Sequence, residues 1–498
     1  MATKYTHRFL ARLIIEAKTP LAVGSGNKDI MTDALIATDV NGLPYIPGTA
    51  IAGVLRHMIN AANPQRNNLG QTMADIIFGY QETDEQKKER IKNTRKDQNE
   101  DYSKGSEIIF SAAKILNSKS EVVDGLNINA FKDDLLMHYQ TLPIRQHVRI
   151  NAKGSADVDN HGKFDNQVCY AGTRFCFEIE MVAANKVTEN FDKVLNTMKN
   201  KTFRLGSGTR NGLGDIEVVD LQTKTLDLAN GGLDEYLKKT SNLNSDFWKK
   251  NSKNQSPKDF LPQNYEEIKF TMKAKDFFLF GSGFGDTEAD ITPVSEAKVD
   301  WSSGIGKFVE NMVLIPATSL KGALSHRVAY HWNRLNKIFI GDDNYKLVAG
   351  GDIVNPAVKV LFGYASQDEK VQKRGNLIFS DIVQDKIDEK QNVNTQVHVS
   401  IDRFTGGAKV KSGALFTEKN VYGEGMDFTV NILKDNDNIK RYAQDVFNSL
   451  PESVKANGEA KFLETVNQAF DAAINDLKKG MLPLGGGTSR GNGIFVES

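Results

Sequence analysis

The segment GSGNKDIMTD at residues 24–33 has a close counterpart in GSGFGDTEAD at residues 281–290. Both follow the pattern G-S-G-x-x-D-x-x-x-D with identical offsets, so each places two aspartates behind a glycine-rich turn. Two copies this far apart in the chain indicate the duplication of a whole domain, because solenoid repeats recur at much shorter periods.

Further matches extend outward from this pair, in the same order in both halves. They are YIPGTAIAGVLRH with LIPATSLKGALSHR, IFGY with LFGY, SEIIFSAAKI with GNLIFSDIVQ, HVRIN with HVSID, and GSGTRNGLG with GGGTSRGNG. Chance glycine-rich turns could explain one or two such matches but not their common order. The sequence therefore predicts two tandem domains, residues 1–220 and 267–498, joined by a polar linker at residues 221–266.

Hydrophobic periodicity within each half alternates between strand and helix spacing. RFLARLIIEA and IKFTMKAKDFFLF alternate like half-buried strands, and Thr49 and Thr318 are the expected N-caps of the helices that follow. The order strand, helix, strands, helix, strand predicts an α+β class with two tandem ferredoxin-like, RRM-like domains. Glycine-rich segments after His147 and His398 predict inserted hairpins, and residues 81–105 form a charged inserted loop.

Composition excludes several classes of protein. Lys+Arg and Asp+Glu both number 63, so a globally basic nucleic-acid binder is excluded, although a local basic track is not. Two cysteines cannot form a disulfide framework or a cysteine-based zinc site, and they suit a reducing cytoplasm. We expect no signal peptide and no membrane span, because no stretch approaches ~18 apolar residues. P-loop and Rossmann spacings are missing, so no nucleotide cofactor is expected.

The paired loops carry four aspartates, Asp29, Asp33, Asp286 and Asp290. A carboxylate on a glycine-rich loop can hold Mg²⁺ together with a phosphate, because Mg²⁺ keeps waters and accepts few protein ligands. Aspartates beside glycine also form Asx turns and helix caps. The spacing alone leaves both interpretations open, since equal offsets show common descent of the loop rather than its chemistry.

The hairpin segment of the second half mixes aromatic residues with the cations Arg403, Lys409 and Lys411. That mixture suits single-stranded RNA, whose phosphates need cations and whose splayed bases need an apolar surface. An ordinary solvated hairpin is the alternative. His147 and His398 occupy equivalent positions in strand-like context, which favours a structural or RNA-contact role over acid–base catalysis.

In combination these motifs resemble the RAMP superfamily. More narrowly, they are similar to the Cas-seven-type backbone subunits of type III CRISPR effector complexes. The resemblance rests on the order of the GSG loop with its aspartate, IPG or IPATS-x-K-G-x-L-x-x-R, I-D-R-x-T-G-G-A, and a terminal G-G-G-x-S-R-G-x-G. It covers both halves apart from the linker and the charged loop, and the second half matches better.

The resemblance implies a modified RNA-recognition fold in each repeat and a role as a guide-RNA-binding backbone subunit. Its partners would be a CRISPR guide RNA, a target RNA, and other RAMP and large subunits of the complex. The inserted hairpin would be a thumb that kinks the guide–target duplex and displaces one base pair at regular intervals. The glycine-rich terminal loop and the helix after IPG or IPATS would grip the guide backbone.

The resemblance also implies a cleavage site. In active members of the family, an aspartate on the loop before this helix cuts target RNA with a divalent metal, and the RNA's own 2′-hydroxyl attacks. That aspartate falls on Asp33 in repeat 1 and, by the equal offset, on Asp290 in repeat 2, with Asp286 as second choice. Asp33 and Asp290 would hold Mg²⁺, and no zinc is expected. The expected RNA contacts are Arg56, Arg145, His147, Arg149, Arg210, Lys321, Arg327, His398, Arg403, Lys409, Lys411 and Arg490.

The chain departs from the family pattern in three places. Ala52 stands where repeat 2 has Lys321, and the hairpin of repeat 1 lacks the D-R-x-T-G-G-A run. Repeat 2 inserts EAKVDWSSGIGKFVENMV between its aspartate loop and IPATS, which makes the offset to Asp290 less direct.

Three functions stay open: a backbone subunit that cleaves target RNA, a non-catalytic RNA-binding scaffold, and a RAMP endonuclease that processes guide precursors through histidine. Metal dependence separates the first from the third.

Overall fold

The computed structural model describes residues 5–30, 32–67, 71–84, 87–88, 103–148, 150, 162–248, 253–254, 260–348, 354–365, 372–409, 415–455 and 458–498. Within these ranges the chain forms two large hydrophobic cores, one for each predicted repeat. In the part of the chain so described, no helix combines the length and the hydropathy needed to cross a bilayer.

Repeat 1 is built on an antiparallel sheet. Its elements are β1 (His7–Ala17), β2 (Tyr45–Ile46), α1 (Gly48–Ala62), α2 (Met73–Phe78), β3 (Ile108–Phe110), β4 (Ala113–Ile115), β5 (Ile144–Val148), β6 (Lys163–Gln167), β7 (Arg174–Ala183), α3 (Glu189–Met198) and β8 (Ile216–Asp227). Strands β3, β7, β1 and β8 lie side by side in that order, each antiparallel to its neighbour. With α1 after β1 and α3 after β7, this is the ferredoxin-like arrangement that the sequence predicts.

Helix α1 packs on the sheet through one apolar face. Ile51, Leu55 and Ile59 are buried at intervals of four residues, which places them on one side of a helix. The helix begins at Gly48 and has no side-chain cap, so the prediction of Thr49 as its N-cap is wrong. The preceding proline fixes a backbone conformation from which the helix can start without a capping hydroxyl.

The segment predicted as a linker folds in part onto repeat 1. It contains the end of β8, then α4 (Leu233–Tyr236) and β9 (Lys253–Asn254). Trp248 is buried and its Nε1 donates to Glu178 Oε1 at 2.5 Å, while Leu243 joins the core of repeat 1. The described part of this connection therefore packs against repeat 1 and is not a free spacer.

Repeat 2 has the same strand order. Its elements are β10 (Tyr265–Ala274), β11 (Phe277–Phe278), β12 (Ser295–Asp300), β13 (Lys307–Ile315), α5 (Ala317–Leu335), α6 (Asp343–Val348), α7 (Pro356–Phe362), β14 (Gly363–Ala365), β15 (Gln372–Arg374), β16 (Leu377–Phe379), β17 (Ile382–Lys386), α8 (Glu389–Asn392), β18 (Val393–Val399), β19 (Leu415–Tyr422), β20 (Asp427–Asp435), α9 (Asn436–Asn448), α10 (Glu452–Lys455), α11 (Gly458–Lys478) and β21 (Phe495–Glu497). Strands β16, β20, β10 and β21 repeat the order β3, β7, β1 and β8, which confirms the duplication.

The insertion of repeat 2 forms the β12–β13 hairpin, which packs on repeat 1. Trp301 lies in the core of repeat 1, where its Nε1 donates to the Gly172 carbonyl at 2.8 Å and the Arg174 guanidinium lies 4.4 Å from its ring centre. The Val299 N–H donates to the Ala171 carbonyl at 2.8 Å. This hairpin therefore joins the two repeats, and it leaves the GSG loop of repeat 2 in a position equivalent to that of repeat 1.

Candidate nucleic-acid interface

Each GSG loop holds one aspartate against the base of an inserted hairpin. Asp33 Oδ2 accepts the N–H of Asp165 at 3.0 Å. Asp290 Oδ2 accepts the N–H of Thr417 at 2.8 Å and its hydroxyl at 3.1 Å. Both aspartates are exposed, and the Oδ1 atom of each accepts no hydrogen bond from the described residues. The two loops thus present one carboxylate oxygen each, in the same way, to solvent beside a hairpin.

Asp286 has a different environment. Its Oδ1 accepts the N–H groups of Glu288 and Ala289, both at 2.8 Å, and its Oδ2 accepts from Lys419 Nζ at 2.5 Å. The Lys419 hydrogen bond, followed by the two backbone hydrogen bonds, lowers the pKa of Asp286 to about 2. Asp286 therefore forms an Asx turn and an ion pair with Lys419. Asp290, whose carboxylate contacts its thumb as that of Asp33 does, is the better match to Asp33.

The aspartates fit one kind of metal ion. Nowhere in the described ranges do three or more His, Cys, Asp or Glu side chains converge as a metal site would require. A single exposed carboxylate suits Mg²⁺, which keeps several waters and takes one or two carboxylates from the protein. Asp33 and Asp290 therefore fit a largely hydrated Mg²⁺ and do not fit a structural zinc, which takes four protein ligands.

The inserted hairpins are β5–β6 in repeat 1 (thumb 1) and β18–β19 in repeat 2 (thumb 2). In thumb 1 the rings of His147 and Phe164 stack with centroids 4.9 Å apart, and in thumb 2 those of His398 and Phe416 stack at 4.7 Å. Burial, together with the Arg145 charge, lowers the pKa of His147, so this imidazole is neutral at physiological pH. Each thumb thus presents a stacked aromatic pair on a two-stranded arm.

Thumb 2 is braced from within its own repeat. Glu418 is buried in β19 and accepts hydrogen bonds from Arg490 Nη2 at 2.7 and 2.8 Å. His398 Nε2 lies 3.0 Å from the same carboxylate. Because Arg490 belongs to the glycine-rich loop at residues 485–493, this cluster ties the thumb to that loop.

Thumb 1 is braced by the other repeat. The buried Arg145 of β5 donates to Glu296 Oε2 and to Asp381 Oδ2, both at 2.5 Å. Asp381 Oδ1 also accepts the N–H of Ala317 at 2.7 Å, so a neighbouring carboxylate caps α5 and Thr318 does not. Gly212 of the glycine-rich loop at residues 206–214 (φ +104°) lies against Asp381, where a side chain would collide with the carboxylate. We call this set of contacts the internal junction.

Basic side chains from both repeats meet beside the internal junction. Arg210 lies within electrostatic reach of three other basic side chains, and we call these four residues together the seam cations. The seam cations are His57, Arg210, Lys321 and Arg374. Lys321 Nζ donates to Asn211 Oδ1 at 2.9 Å, which is a neutral partner. Among the described residues, no seam cation forms an ion pair with a carboxylate, although Arg210 has a hydrogen-bond partner in Tyr265.

Comparison with known families decides the membership of this chain. The sequence profile of the RAMP superfamily matches residues 14–217 and again residues 304–496. The chain belongs to the RAMP superfamily. No curated protein matches the chain at a significant level. Because the two matched regions fall on the two repeats, this is a tandem RAMP protein, and its membership indicates a CRISPR-associated RNA-binding subunit.

In the folded chain, the residues predicted to contact RNA lie in several separate places. Arg210 and Lys321 are seam cations, while Arg56 pairs with Asp75 at 2.9 Å. Arg327 pairs with Asp476 at 2.5 Å on the far part of α5. These last two cations are therefore partly neutralised by carboxylates of their own repeats.

The thumbs hold the remaining predicted contacts. Arg403 and Lys409 are exposed at the tip of thumb 2, whereas Arg149 and Lys411 lie outside the described residues. Arg145 is buried between two carboxylates, so it braces thumb 1 and takes no part in an exposed RNA track.

Sequence reasoning missed His57, Arg374 and Glu418. His57 follows the predicted Arg56 by one residue, and Arg374 immediately precedes the GNLIFSDIVQ block. His57 ends the matched block YIPGTAIAGVLRH, but nothing in the sequence connects it with Arg374, because their proximity arises only when the two repeats pack together. Glu418 lies within a segment predicted as an inserted hairpin, where a buried acid is not expected.

Proposed function

We propose that this RAMP protein is a guide-RNA-binding backbone subunit of a type III CRISPR effector complex, and that Asp33 and Asp290 serve metal-dependent cleavage of the target RNA. The observation that carries the RNA-binding part is the group of seam cations. Helix α1 and the glycine-rich loop of repeat 1 contribute to it, as do α5 and β15 of repeat 2. A site made by both repeats suits a ligand that runs continuously across them.

The electrostatics of the seam support a phosphate ligand. Burial lowers the pKa of Lys321 to about 8, and the charge of Arg210 acts in the same direction. Burial, followed by the charges of Arg374 and Arg210, lowers the pKa of His57. These shifts express first the cost of burying a cation and then the repulsion between cations that have no anion beside them. A phosphodiester backbone supplies one negative charge at each nucleotide and would offset that cost.

The thumbs and loops support the cleavage part. Each aspartate lies at the base of a thumb, so a nucleotide displaced by the thumb would lie beside the carboxylate. Asp33 and Asp290 would hold the Mg²⁺, which when bound supplies positive charge against the phosphate at the scissile bond. The chain itself contributes positioning, because a backbone N–H at the thumb base fixes the orientation of each carboxylate.

RNA binding is tested by removing seam cations one at a time. Lys321→Met, Arg210→Met and Arg374→Met should each weaken binding of a single-stranded RNA, and each should reduce the slope of log K against log salt by ~0.7. The matched control is Lys346→Met, an exposed lysine on α6 that pairs with Asp343. If all three seam variants keep the wild-type slope, the seam does not contact phosphate.

Cleavage is tested with isosteric variants. Asp33→Asn and Asp290→Asn keep an oxygen that accepts the backbone N–H at the thumb base, but they lose the charge. In an assembled complex with labelled target RNA and Mg²⁺, each variant should lose one cut on the order of 100-fold or more, while guide binding is retained. An EDTA control checks metal dependence. If wild type cuts and both variants keep both cuts, the aspartates are turn residues.

A second candidate function is a non-catalytic RNA-binding scaffold. The observation that favours it is that neither loop belongs to a group of three or more His, Cys, Asp or Glu side chains that could hold a metal ion, within the described part of the chain. The same assay separates the two candidates. A wild-type complex that binds target RNA and never cuts it, at any Mg²⁺ concentration, establishes the scaffold.

A further inference from the structure

The two aspartate loops contact their thumbs in the same register. The Asp33 carboxylate accepts the N–H of Asp165 at 3.0 Å, and the Asp290 carboxylate accepts the N–H of Thr417 at 2.8 Å. In both repeats the residue after the loop aspartate also pairs with the residue after its thumb partner, as a parallel bridge. Asp165 of thumb 1 therefore stands at the position of Thr417 in thumb 2.

The side chain of Thr417 shows in which direction this position points. Its Oγ1 atom donates to Asp290 Oδ2 at 3.1 Å, so the side chain lies on the side of the strand that faces the loop aspartate. Asp165 has the same register in thumb 1, and the face of a strand on which a side chain lies is set by register. Repeat 1 thus has a second carboxylate beside its loop aspartate, where repeat 2 has a hydroxyl.

The described residues offer no structural partner for the Asp165 carboxylate. Its Oδ1 atom is buried, and no described residue donates a hydrogen bond to it. Arg145 of the same thumb lies on the opposite face of the hairpin, where it donates to two carboxylates of repeat 2. A buried polar atom without a partner destabilises a fold unless a water or an ion satisfies it, so this oxygen suits a ligand.

The next position on this face of the thumb also differs between the repeats. In thumb 2, Lys419 donates to the Asp286 carboxylate at 2.5 Å. Gln167 stands at that position in thumb 1, two residues beyond Asp165, and its side-chain oxygen accepts the N–H of Ile36 at 3.1 Å. A neutral side chain thus replaces the lysine that would otherwise offset the charge of the second carboxylate.

We propose that Asp165 belongs to the magnesium site of repeat 1, so that Asp33 and Asp165 hold one divalent cation together. In repeat 2, Asp290 holds its cation without a second carboxylate. This assignment rests on the proposed metal-dependent function and adds one residue to it. Mg²⁺ takes one or two carboxylates from a protein, so both sites fit the ion, and the larger negative charge makes the site of repeat 1 the tighter one.

Manganese binding to the full chain without RNA measures this difference. Mn²⁺ prefers the same oxygen ligands as Mg²⁺, and its sharp electron paramagnetic resonance lines are lost when it binds. The wild-type chain should bind Mn²⁺ at a tighter and a weaker site. Asp165→Asn keeps the shape of the side chain without its charge, so it should weaken only the tighter site, on the order of 10-fold. The matched control is Asp192→Asn, an exposed acid of α3, which should bind Mn²⁺ like wild type.

The reciprocal substitution excludes misfolding as an explanation. Thr417→Asp gives repeat 2 the second carboxylate of repeat 1, so it should strengthen the weaker site on the order of 10-fold. A misfolded variant cannot produce such a gain. A double variant shows whether the two carboxylates of repeat 1 share one ion. After Asp33→Asn, the further change Asp165→Asn should cost little additional affinity, because the tighter site is already lost.

The assignment is overturned by two sites of equal affinity, by no bound Mn²⁺, or by an Asp165→Asn or Thr417→Asp chain that binds Mn²⁺ like wild type. These results leave the proposed cleavage standing, because Asp33 and Asp290 can each serve it alone. Cleavage by the assembled complex tests that function separately. At saturating Mg²⁺, Asp165→Asn should still cut at both sites, and it should need on the order of 10-fold more Mg²⁺ for the cut at Asp33. An unchanged Mg²⁺ requirement at Asp33 also contradicts the assignment.

Discussion

The two thumbs have the same fold and are held in place in different ways. Thumb 2 is braced inside its own repeat, where His398 and Arg490 share the buried Glu418. Thumb 1 is braced by the neighbouring repeat, because Arg145 inserts between Glu296 and Asp381. A duplicated domain has thus kept the fold of its thumb while the contacts that support the thumb diverged. The difference indicates that thumb 1 depends on the packing of the two repeats and that thumb 2 does not.

Removal of Arg145 should have the largest effect. Arg145→Met leaves two buried carboxylates without their cation, and we expect a loss of about 3–5 kcal/mol in the free energy of unfolding. Urea denaturation monitored by tryptophan fluorescence is a suitable measurement, since Trp301 lies at the contact between the repeats. The triple variant Arg145→Met, Glu296→Gln, Asp381→Asn should recover most of the loss. An Arg145→Met protein as stable as wild type would contradict the bracing role.

The two cleavage sites should differ in rate when the chain acts alone. The GSG loop of Asp290 has thumb 1 beside it, at the contact of Gly283 with Gln146, whereas the space around Gly26 near Asp33 is open. A site that lacks its neighbouring thumb positions the target poorly, which can reduce the rate on the order of 100-fold. Guide-loaded monomer with labelled target should therefore cut first at the Asp290 site. Equal rates at the two sites would show that the neighbouring thumb is irrelevant.

Replacement of Glu418 should have a smaller, local effect. Glu418→Gln removes a buried charge that Arg490 and His398 share, and we expect a loss of about 1–3 kcal/mol with increased proteolysis of thumb 2. The matched control is Asn166→Gln at the equivalent position of thumb 1, which should change little.

Burial raises the pKa of Glu418, but the Arg490 and Asn420 hydrogen bonds outweigh it and hold the pKa below its usual value. Wild type should therefore lose this stability as pH falls through the carboxyl range, and Glu418→Gln should not.

The smallest effect concerns the pH dependence of RNA binding at the seam. Lys321 is protonated below its pKa of about 8 and loses its charge as pH rises through that value. RNA affinity should therefore fall roughly five-fold across this range, the scale of one phosphate contact. Lys321→Arg should bind RNA with the same affinity at both ends of this pH range. A wild-type affinity that does not change across this range would remove Lys321 from the RNA track.

Much of the fold could be predicted from the sequence. The ordered matches gave the duplication, and hydrophobic spacing gave the helices that carry Ile51 and Leu320. The equivalence of Asp33 and Asp290 also followed from their offsets, because a turn of fixed length places its last residue in a fixed position. The long insertion before IPATS did not disturb that equivalence, because the insertion follows the loop and folds as a separate hairpin, β12–β13.

The contacts between the repeats could not be predicted. Arg145 looked like an RNA contact because a lone arginine beside a basic hairpin is usually exposed, and only the packing of two domains buries it. His57 and Arg374 are distant in sequence and meet only where repeat 1 adjoins repeat 2. The predicted caps failed for a similar reason, because the acceptor for the first N–H of α5 comes from Asp381, remote in sequence.

The central claim, that this tandem RAMP protein carries a CRISPR guide, is tested most directly by the RNA it binds in its own cells. The protein would be purified from its native host, and the co-purifying RNA sequenced, with Lys321→Met as the control for seam-dependent binding. We expect fragments derived from CRISPR repeats joined to spacers, and we expect fewer of them with the variant. Recovery of RNA unrelated to any CRISPR array, or of none at all, would contradict it.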